Sequence, residues 1–222
     1  MKEEADSSAG QSGRMQSIAA LCGAVSAVVG MVVLAGWLFH VPLLKSILPD
    51  VVSMKPNTAL AFLLAGVALV LLSPGARSPG RARLGQLLGW LVVLIGGLTL
   101  CEFAFGWDLR IDELLFKDDP SAVATSSPGR MAPSSAVGFV LFGLALVGIE
   151  WEPRRGFRPA ELLALVVAVV SLSSLIEYAI GQPILYGFSQ YTRMALHTAA
   201  AFFVLSAGVL LAQPAQGMVG LL

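Results

Sequence analysis

Charge is scarce in this 222-residue sequence: Asp, Glu, Lys and Arg make up 13% of it, and 14 residues of each sign leave a formal net charge of +0. Nothing in that balance points to nucleic acid or to a strongly acidic partner. Cysteine is scarcer. Cys22 and Cys101 each lie in an apolar run, near opposite ends of their helices, so they read as small packing residues and not as a disulfide. The only histidines are His40 and His197. No Walker loop, dinucleotide fingerprint, HExxH or nucleophile elbow occurs, nor a phosphoacceptor helix or a nucleotide-binding kinase lobe, so the chain as given is expected to catalyse nothing by itself. The start, Met1 to Arg14, is polar and mixed in charge and lacks the short apolar core and cleavage site of a secretory signal. The first long apolar run is therefore expected to stay in the mature protein.

What the sequence has in abundance is apolar residues, 56% of the chain, with a mean hydropathy of +0.80. Crossing roughly 30 Å of hydrocarbon takes about twenty residues of helix. Runs near that length occur at Ile18 to Phe39, Pro56 to Leu72, Leu84 to Phe105, Pro133 to Ile149, Leu162 to Ile180 and Leu196 to Ala212. These predict an all-α integral membrane protein with six spans, the even-numbered ones shorter. The domain plan is a tail over 1–15, a membrane domain over 16–213 and a short end over 214–222. Arg77, Arg81 and Arg83 in one short connection, and Arg154, Arg155 and Arg158 in another, place those connections in the cytoplasm by the positive-inside rule. Both termini then lie on the cytoplasmic side. The longest outer connection, Gly106 to Arg130, holds an amphipathic stretch, Leu109 to Phe116, expected as a short interfacial helix or an extended cover.

Three stretches align without gaps: MKPNTALAFLLAG from Met54, MAPSSAVGFVLFG from Met131 and MALHTAAAFFVLS from Met194. Upstream of each, a second pattern recurs at the end of an odd-numbered span, in GWLFHVP from Gly36, EFAFGWD from Glu102 and EYAIGQP from Glu177. The repeat unit is thus a helix, an outer loop and a return helix, over about 16–73, 84–150 and 159–213. Each unit returns the chain to the same side, so a six-helix bundle with a pseudo-threefold axis along the membrane normal is expected. Pro56 and Pro133 suit the first turn of a helix, while Asn57, Thr58, Ser134, Ser135 and Thr198 can satisfy free backbone groups beside it. The small residues Ala59, Ala136 and Ala199, then Gly66, Gly143 and Ser206, allow close helix approach in lipid. Phe62, Phe139 and Phe202 would fill the space between.

A carboxylate at the edge of a span is costly and faces a partner, water or a cavity. Glu102 and Glu177 occupy equivalent places of that kind, either at headgroup level or lining a pocket. Asn57, Ser134 and His197 share one position on the return helices, so the symmetry would gather them with the glutamates into an outer-side ligand site. A haem or metal between His40 and His197 fits the geometry but has no supporting ligand spacing. Met54, Met131 and Met194 read as packing residues, and Trp37, Trp107, Trp151, Tyr178, Tyr186 and Tyr191 as an interfacial aromatic belt. The sequence identifies no cofactor.

With PGRMAPSSAVGFVLFGLAL from Pro128, EFAFGWDLRIDELLF from Glu102 and MALHTAAAFFVLSAGVLLA from Met194, the chain resembles a recurrent bacterial membrane region. That region stands at the N-terminus of sensor histidine kinases and some diguanylate cyclases. The resemblance covers nearly the whole chain from the first helix onward. It implies a sensory input module in the bacterial cytoplasmic membrane that passes a signal to a cytoplasmic output domain or partner subunit, with a homodimer expected by analogy. Leu196 in place of the proline, and Ser134 and Ser135 in place of the more usual Asn and Thr, depart from the pattern. Family members usually run on into further helices and an output domain, whereas this sequence stops at Leu222, so the output is expected in a longer form or in a partner. Two other readings compete. One is a structural or cofactor-binding subunit of a membrane complex. The other is a small transporter, ranked last because the spans lack mid-membrane charges and the Gly/Pro breaks of transport sites.

Overall fold

The computed structural model describes residues 2–46, 52–73, 78–119, 127–153, 157–181 and 193–213. Its elements are helices: α1 (Lys2–Leu38), α2 (Pro42–Lys45), α3 (Pro56–Leu72), α4 (Pro79–Phe105), α5 (Pro133–Val147), α6 (Pro159–Ile180) and α7 (Leu196–Leu211). Helices α2 to α6 each open with proline at the first or second position, where the missing N–H has no intrahelical partner to lose. Gly106 and Gly181, at φ +65° and +66°, end α4 and α6 in the left-handed conformation that closes a helix.

Three helices are long and apolar enough to cross a membrane, by length and composition: Gly10–Leu38 within α1, Pro79–Phe105 and Pro159–Ile180. The other apolar helices, α3, α5 and α7, have 17, 15 and 16 residues, or about 25 Å at 1.5 Å per residue. The two sets differ in what they expose. The long helices present Leu21, Val28, Leu87, Leu94, Leu165 and Val169 outward, whereas most of each short helix is buried. The first helix starts earlier than expected. It runs back to Lys2 instead of beginning near Ile18, so the polar start continues α1.

Each short helix lies between two long ones: α3 between α1 and α4, α5 between α4 and α6, α7 between α6 and α1. The short helices also touch one another. At their common contact Phe62, Phe139 and Phe202, all fully buried, form a closed triangle with ring centroids 4.6, 4.8 and 4.9 Å apart. The rings are inclined by 51° to 67°, in the edge-to-face range that the aromatic quadrupole favours. Gly138 makes room for one of them, since a Cβ there would come within 2.9 Å of the Phe202 ring.

Within the first two repeat units, long and short helices meet backbone to backbone. A Cβ on Gly23 would stand 2.7 Å from the Gly66 carbonyl, and one on Gly143 would stand 2.8 Å from the Gly89 carbonyl. Gly30 and Gly96 repeat this one level away, against Ala59 and Ala136. The corresponding α6 positions are Ala164 and Ser171, both fully buried. Such close approach gathers dispersion contacts between the paired helices. Gly66→Ala is expected to lower stability by about 2 kcal/mol through overpacking, read by denaturant titration in micelles. Gly97 has open space around it, so Gly97→Ala is expected to be neutral or slightly stabilising.

Polar side chains inside the apolar helices bond their own backbone. Ser26 donates to the Cys22 carbonyl at 3.0 Å, Thr99 to Ile95 at 3.2 Å and Ser171 to Val167 at 2.6 Å. Two aromatic residues leave the expected belt. Trp37 is 5% exposed, and its Nε1 donates to the Met54 carbonyl at 2.9 Å; the Tyr178 hydroxyl donates to the Met194 carbonyl at 2.9 Å. These bonds occupy equivalent repeat positions and tie the end of a long helix to the chain entering the next short one. A headgroup position would have satisfied the same N–H and O–H with water; burial requires a protein acceptor. Trp107 and Trp151 are exposed, while Tyr186 and Tyr191 lie outside the described residues. Trp37→Phe and Tyr178→Phe are each expected to cost about 1 kcal/mol; an unchanged unfolding midpoint would refute the tether.

Arg158, read from the sequence only as one of the arginines that mark a cytoplasmic connection, is buried. It is 5% exposed, and its guanidinium donates to the Ile149 carbonyl at 2.9 Å, just past the end of α5. There it supplies a donor to a carbonyl of the buried residue that follows the helix cap.

Candidate functional site: two buried carboxylates on one arginine

The polar residues concentrate where α1, α4 and α6 finish and α3, α5 and α7 begin. Glu102 sits in the last turn of α4, only 1% exposed. A helix C-terminus disfavours negative charge, so this carboxylate needs donors from elsewhere. The chain supplies one by turning back at Gly106: the Leu109 amide donates to Glu102 Oε1 at 3.0 Å. Glu102 Oε2 has no hydrogen-bond partner, and Arg130 Nε stands 3.5 Å from it.

Arg130 precedes α5 and reaches a second carboxylate. Its Nε donates to Asp112 Oδ2 at 2.6 Å, and its guanidinium lies 5.4 Å from the centre of the Phe103 ring. Asp112 is 8% exposed, and Asn57 Nδ2 approaches its Oδ1 at 3.5 Å. Asn57 is itself oriented by the Thr58 amide, which donates to Asn57 Oδ1 at 2.8 Å. Burial pushes the Asp112 carboxyl above its ordinary value, although Arg130 pulls the other way. The starts of α3 and α5, the end of α4 and the connection after it are thereby joined through four side chains.

A second ion pair closes this connection over the helix ends. Lys55 Nζ and Asp118 Oδ2 are 2.5 Å apart, with side chains 2% and 4% exposed, and the Gly129 amide donates to the same oxygen at 3.0 Å. Phe116 stacks on Trp37 with centroids 6.4 Å apart. Gly129 has φ +68°, and a Cβ there would strike the Asp112 carbonyl, so both conformation and space call for glycine. The expected interfacial helix over Leu109 to Phe116 is absent: this stretch is irregular and is the extended cover. Arg110 has φ +56°, which a right-handed helix cannot contain, and the stretch is held instead by bonds to other parts of the chain: the Leu109 amide donates to Glu102 and Asp112 accepts from Arg130. Asp108 accepts from the Arg110 amide at 3.1 Å and Glu113 from the Asp118 amide at 3.0 Å. Between this cover and Arg130 an open cavity of about 500 Å³ is lined by residues that include Asp108, Arg110, Asp112, Glu113 and Arg130.

Of the ligand-site residues expected from the sequence, the structure brings Glu102 and Asn57 together through Asp112 and Arg130. The bonds of this network do not reach Ser134, Glu177 or His197. Ser134 and Glu177 are half-buried; His197 is 8% exposed in the first turn of α7, and its Nε2 has no hydrogen-bond partner. His40 is exposed at φ +56°, where α1 ends. Among the described residues no group of three or more His, Cys, Asp or Glu side chains could hold a metal ion. Pro56 and Pro133 occupy the first position of α3 and α5, and Thr58, Ser135 and Thr198 are buried beside them. Met54, Met131 and Met194 are buried in the core.

Sequence reasoning missed Asp112, Arg130, Lys55 and Asp118 as members of the site. A signal for Arg130 was present: Arg130 and Arg193 directly precede the motif methionines Met131 and Met194, just as Glu102 and Glu177 share one upstream position. Opposite charges at matching places in a repeat mark a pair across the loop. Comparison of the chain with family models, with curated proteins and with solved structures finds no match.

Proposed function

We propose that this chain is the membrane-embedded input module of a bacterial signalling protein of the sensor histidine kinase or diguanylate cyclase type. In this reading all six apolar helices cross the cytoplasmic membrane, related by a pseudo-threefold axis along its normal, with both termini in the cytoplasm. The Glu102–Arg130–Asp112–Asn57 network then lies on the outer face. The observation that carries the proposal is this network. It links three helix ends and the outer connection through buried charges, so a chemical change at one outer site bears on several helices that run toward the other side. The closed Phe62–Phe139–Phe202 contact supports a body that shifts as a unit.

The test is capture of the native protein from its own membrane, followed by assay of the captured material for autophosphorylation from ATP and for cyclic dinucleotide synthesis from GTP. Either activity, on the same polypeptide or on a stoichiometric partner, is the expected result. Captured material devoid of both, with no such domain found by intact mass, would sink the proposal.

One observation favours a second reading, a cofactor-binding subunit of a membrane complex. The buried Nε2 of His197 is without a partner, the state of an imidazole that awaits a ligand. A visible absorption band in the purified protein, lost in His197→Ala, would support that reading.

A further inference from the structure

Arg130 serves two carboxylates with one positive charge. Glu102 is 1% exposed and Asp112 8%, and both approach the same Nε, at 3.5 and 2.6 Å. The other groups facing the pair do not correct the imbalance. From α3 comes Asn57, which is neutral. Lys55, at the start of α3, is paired with Asp118. Along the connection, Asp108 and Glu113 add negative charge at the cavity mouth, and Arg110 is exposed there. The inner pair therefore carries one negative charge more than its arginine neutralises, in surroundings where an unmatched charge is costly. Glu102 Oε2 adds a second, independent sign. It is a buried oxygen with no donor, a costly arrangement for an ionised carboxylate.

We propose that Glu102 and Asp112 hold one exchangeable proton between them, exchanged with water through the cavity beside Arg130, and that this proton is the stimulus the module reads. The second half of that statement rests on the sensory reading above; the first half does not. Uptake transfers a proton from hydronium in the cavity to Asp112, which lines it, leaving water behind, and Asp112 passes the proton on to Glu102 Oε2. The new O–H donates to the Asp112 carboxylate, and the charges of the site balance: one carboxylate, one guanidinium, one neutral acid. Loss of the proton leaves two negative charges on one guanidinium, and their repulsion loosens the outer connection that carries Asp112.

The sign of the pH effect follows from linkage. With the connection released, the two acids titrate near their ordinary values, about 3.9 and 4.3, whereas the closed site retains a proton above them. The retained proton's contribution to closure is thus fully present below the ordinary values. It weakens as pH rises, until the retained proton is lost, and is level beyond that point.

The experiment is infrared difference spectroscopy of the full chain in lipid vesicles under pH titration, in water and in heavy water. The expected result is a protonated-carboxyl C=O band that persists above the pH at which exposed carboxyls have lost theirs and that disappears in Glu102→Gln or in Asp112→Asn. A second readout needs no variant. Hydrogen-exchange protection of the Leu109 amide, bound to Glu102, should fall about tenfold per pH unit, after correction for intrinsic exchange, up to the pH where the band vanishes, and be level above it. No such band in the wild type, a band unchanged in both variants, or flat Leu109 protection would each overturn the proton site. Should neither variant fold, the Leu109 profile decides. Sodium substituted for potassium at constant pH is expected to change neither readout; a shift in both would assign the site to a metal cation and overturn the proposal. None of these readouts uses an output domain, so they and the kinase and cyclase assays fail independently.

Discussion

Replacing Arg130 with methionine is expected to destabilise the protein by about 3–5 kcal/mol, the cost of leaving a buried ion pair without one partner. Methionine keeps much of the aliphatic length and removes the charge, so the loss reports electrostatics more than packing. Asp112 would lose its 2.6 Å donor, and Glu102 would lose the cation 3.5 Å from its unpartnered oxygen. Adding Asp112→Asn to this variant removes one of the stranded charges and should recover part of the loss. The single and double variants together form a cycle that isolates the coupling. Unfolding in micelles, followed by denaturant titration, checks it. Additive effects of the two substitutions would show that the 2.6 Å contact contributes nothing, and the account of this site would be wrong.

The second large effect belongs to the aromatic triangle. Phe139→Ala is expected to cost about 3 kcal/mol, the lower end for a buried phenylalanine, because a chain unfolded within lipid already has its apolar groups out of water and the cavity is what remains. Phe139 touches both other rings, at 4.9 and 4.6 Å between centroids, so its removal leaves Phe62 and Phe202 with only each other to meet. Phe62→Ala added to Phe139→Ala should then cost less than the sum of the singles, since part of what the second change removes is already gone. A loss below about 1 kcal/mol for Phe139→Ala would mean that neighbouring helices close the gap, which the close backbone contacts at Gly23, Gly66, Gly89 and Gly143 argue against.

How far the sequence could be read depended on whether the deciding interactions were local. Helix starts were legible at Pro56 and Pro133 because a missing N–H acts through the adjacent turn. The motif phenylalanines were legible as packing residues because they recur at one spacing from each helix start. The partner glycines Gly23, Gly30, Gly89 and Gly96 were not singled out. A glycine in a long apolar helix has the same local signature whether it faces open space, as Gly97 does, or another backbone. Leu109 to Phe116 misled for a related reason. Its spacing suits a helix, but Arg110 takes a positive φ, Glu102 from the preceding helix holds the Leu109 amide and Arg130 holds Asp112. Trp37 and Tyr178 look like headgroup aromatics by position, and only the carbonyls of Met54 and Met194 arriving beside them make inward bonds available.

The sequence by itself determined that this chain is helical and where its apolar helices run, because hydropathy and proline placement act along the chain. Tertiary structure alone decided which charges meet. Glu102, Asp112 and Arg130 are up to 28 positions apart in sequence, and their contact depends on how the connection after α4 folds back over the ends of α3, α4 and α5, a choice made by distant partners and not by neighbours in the chain.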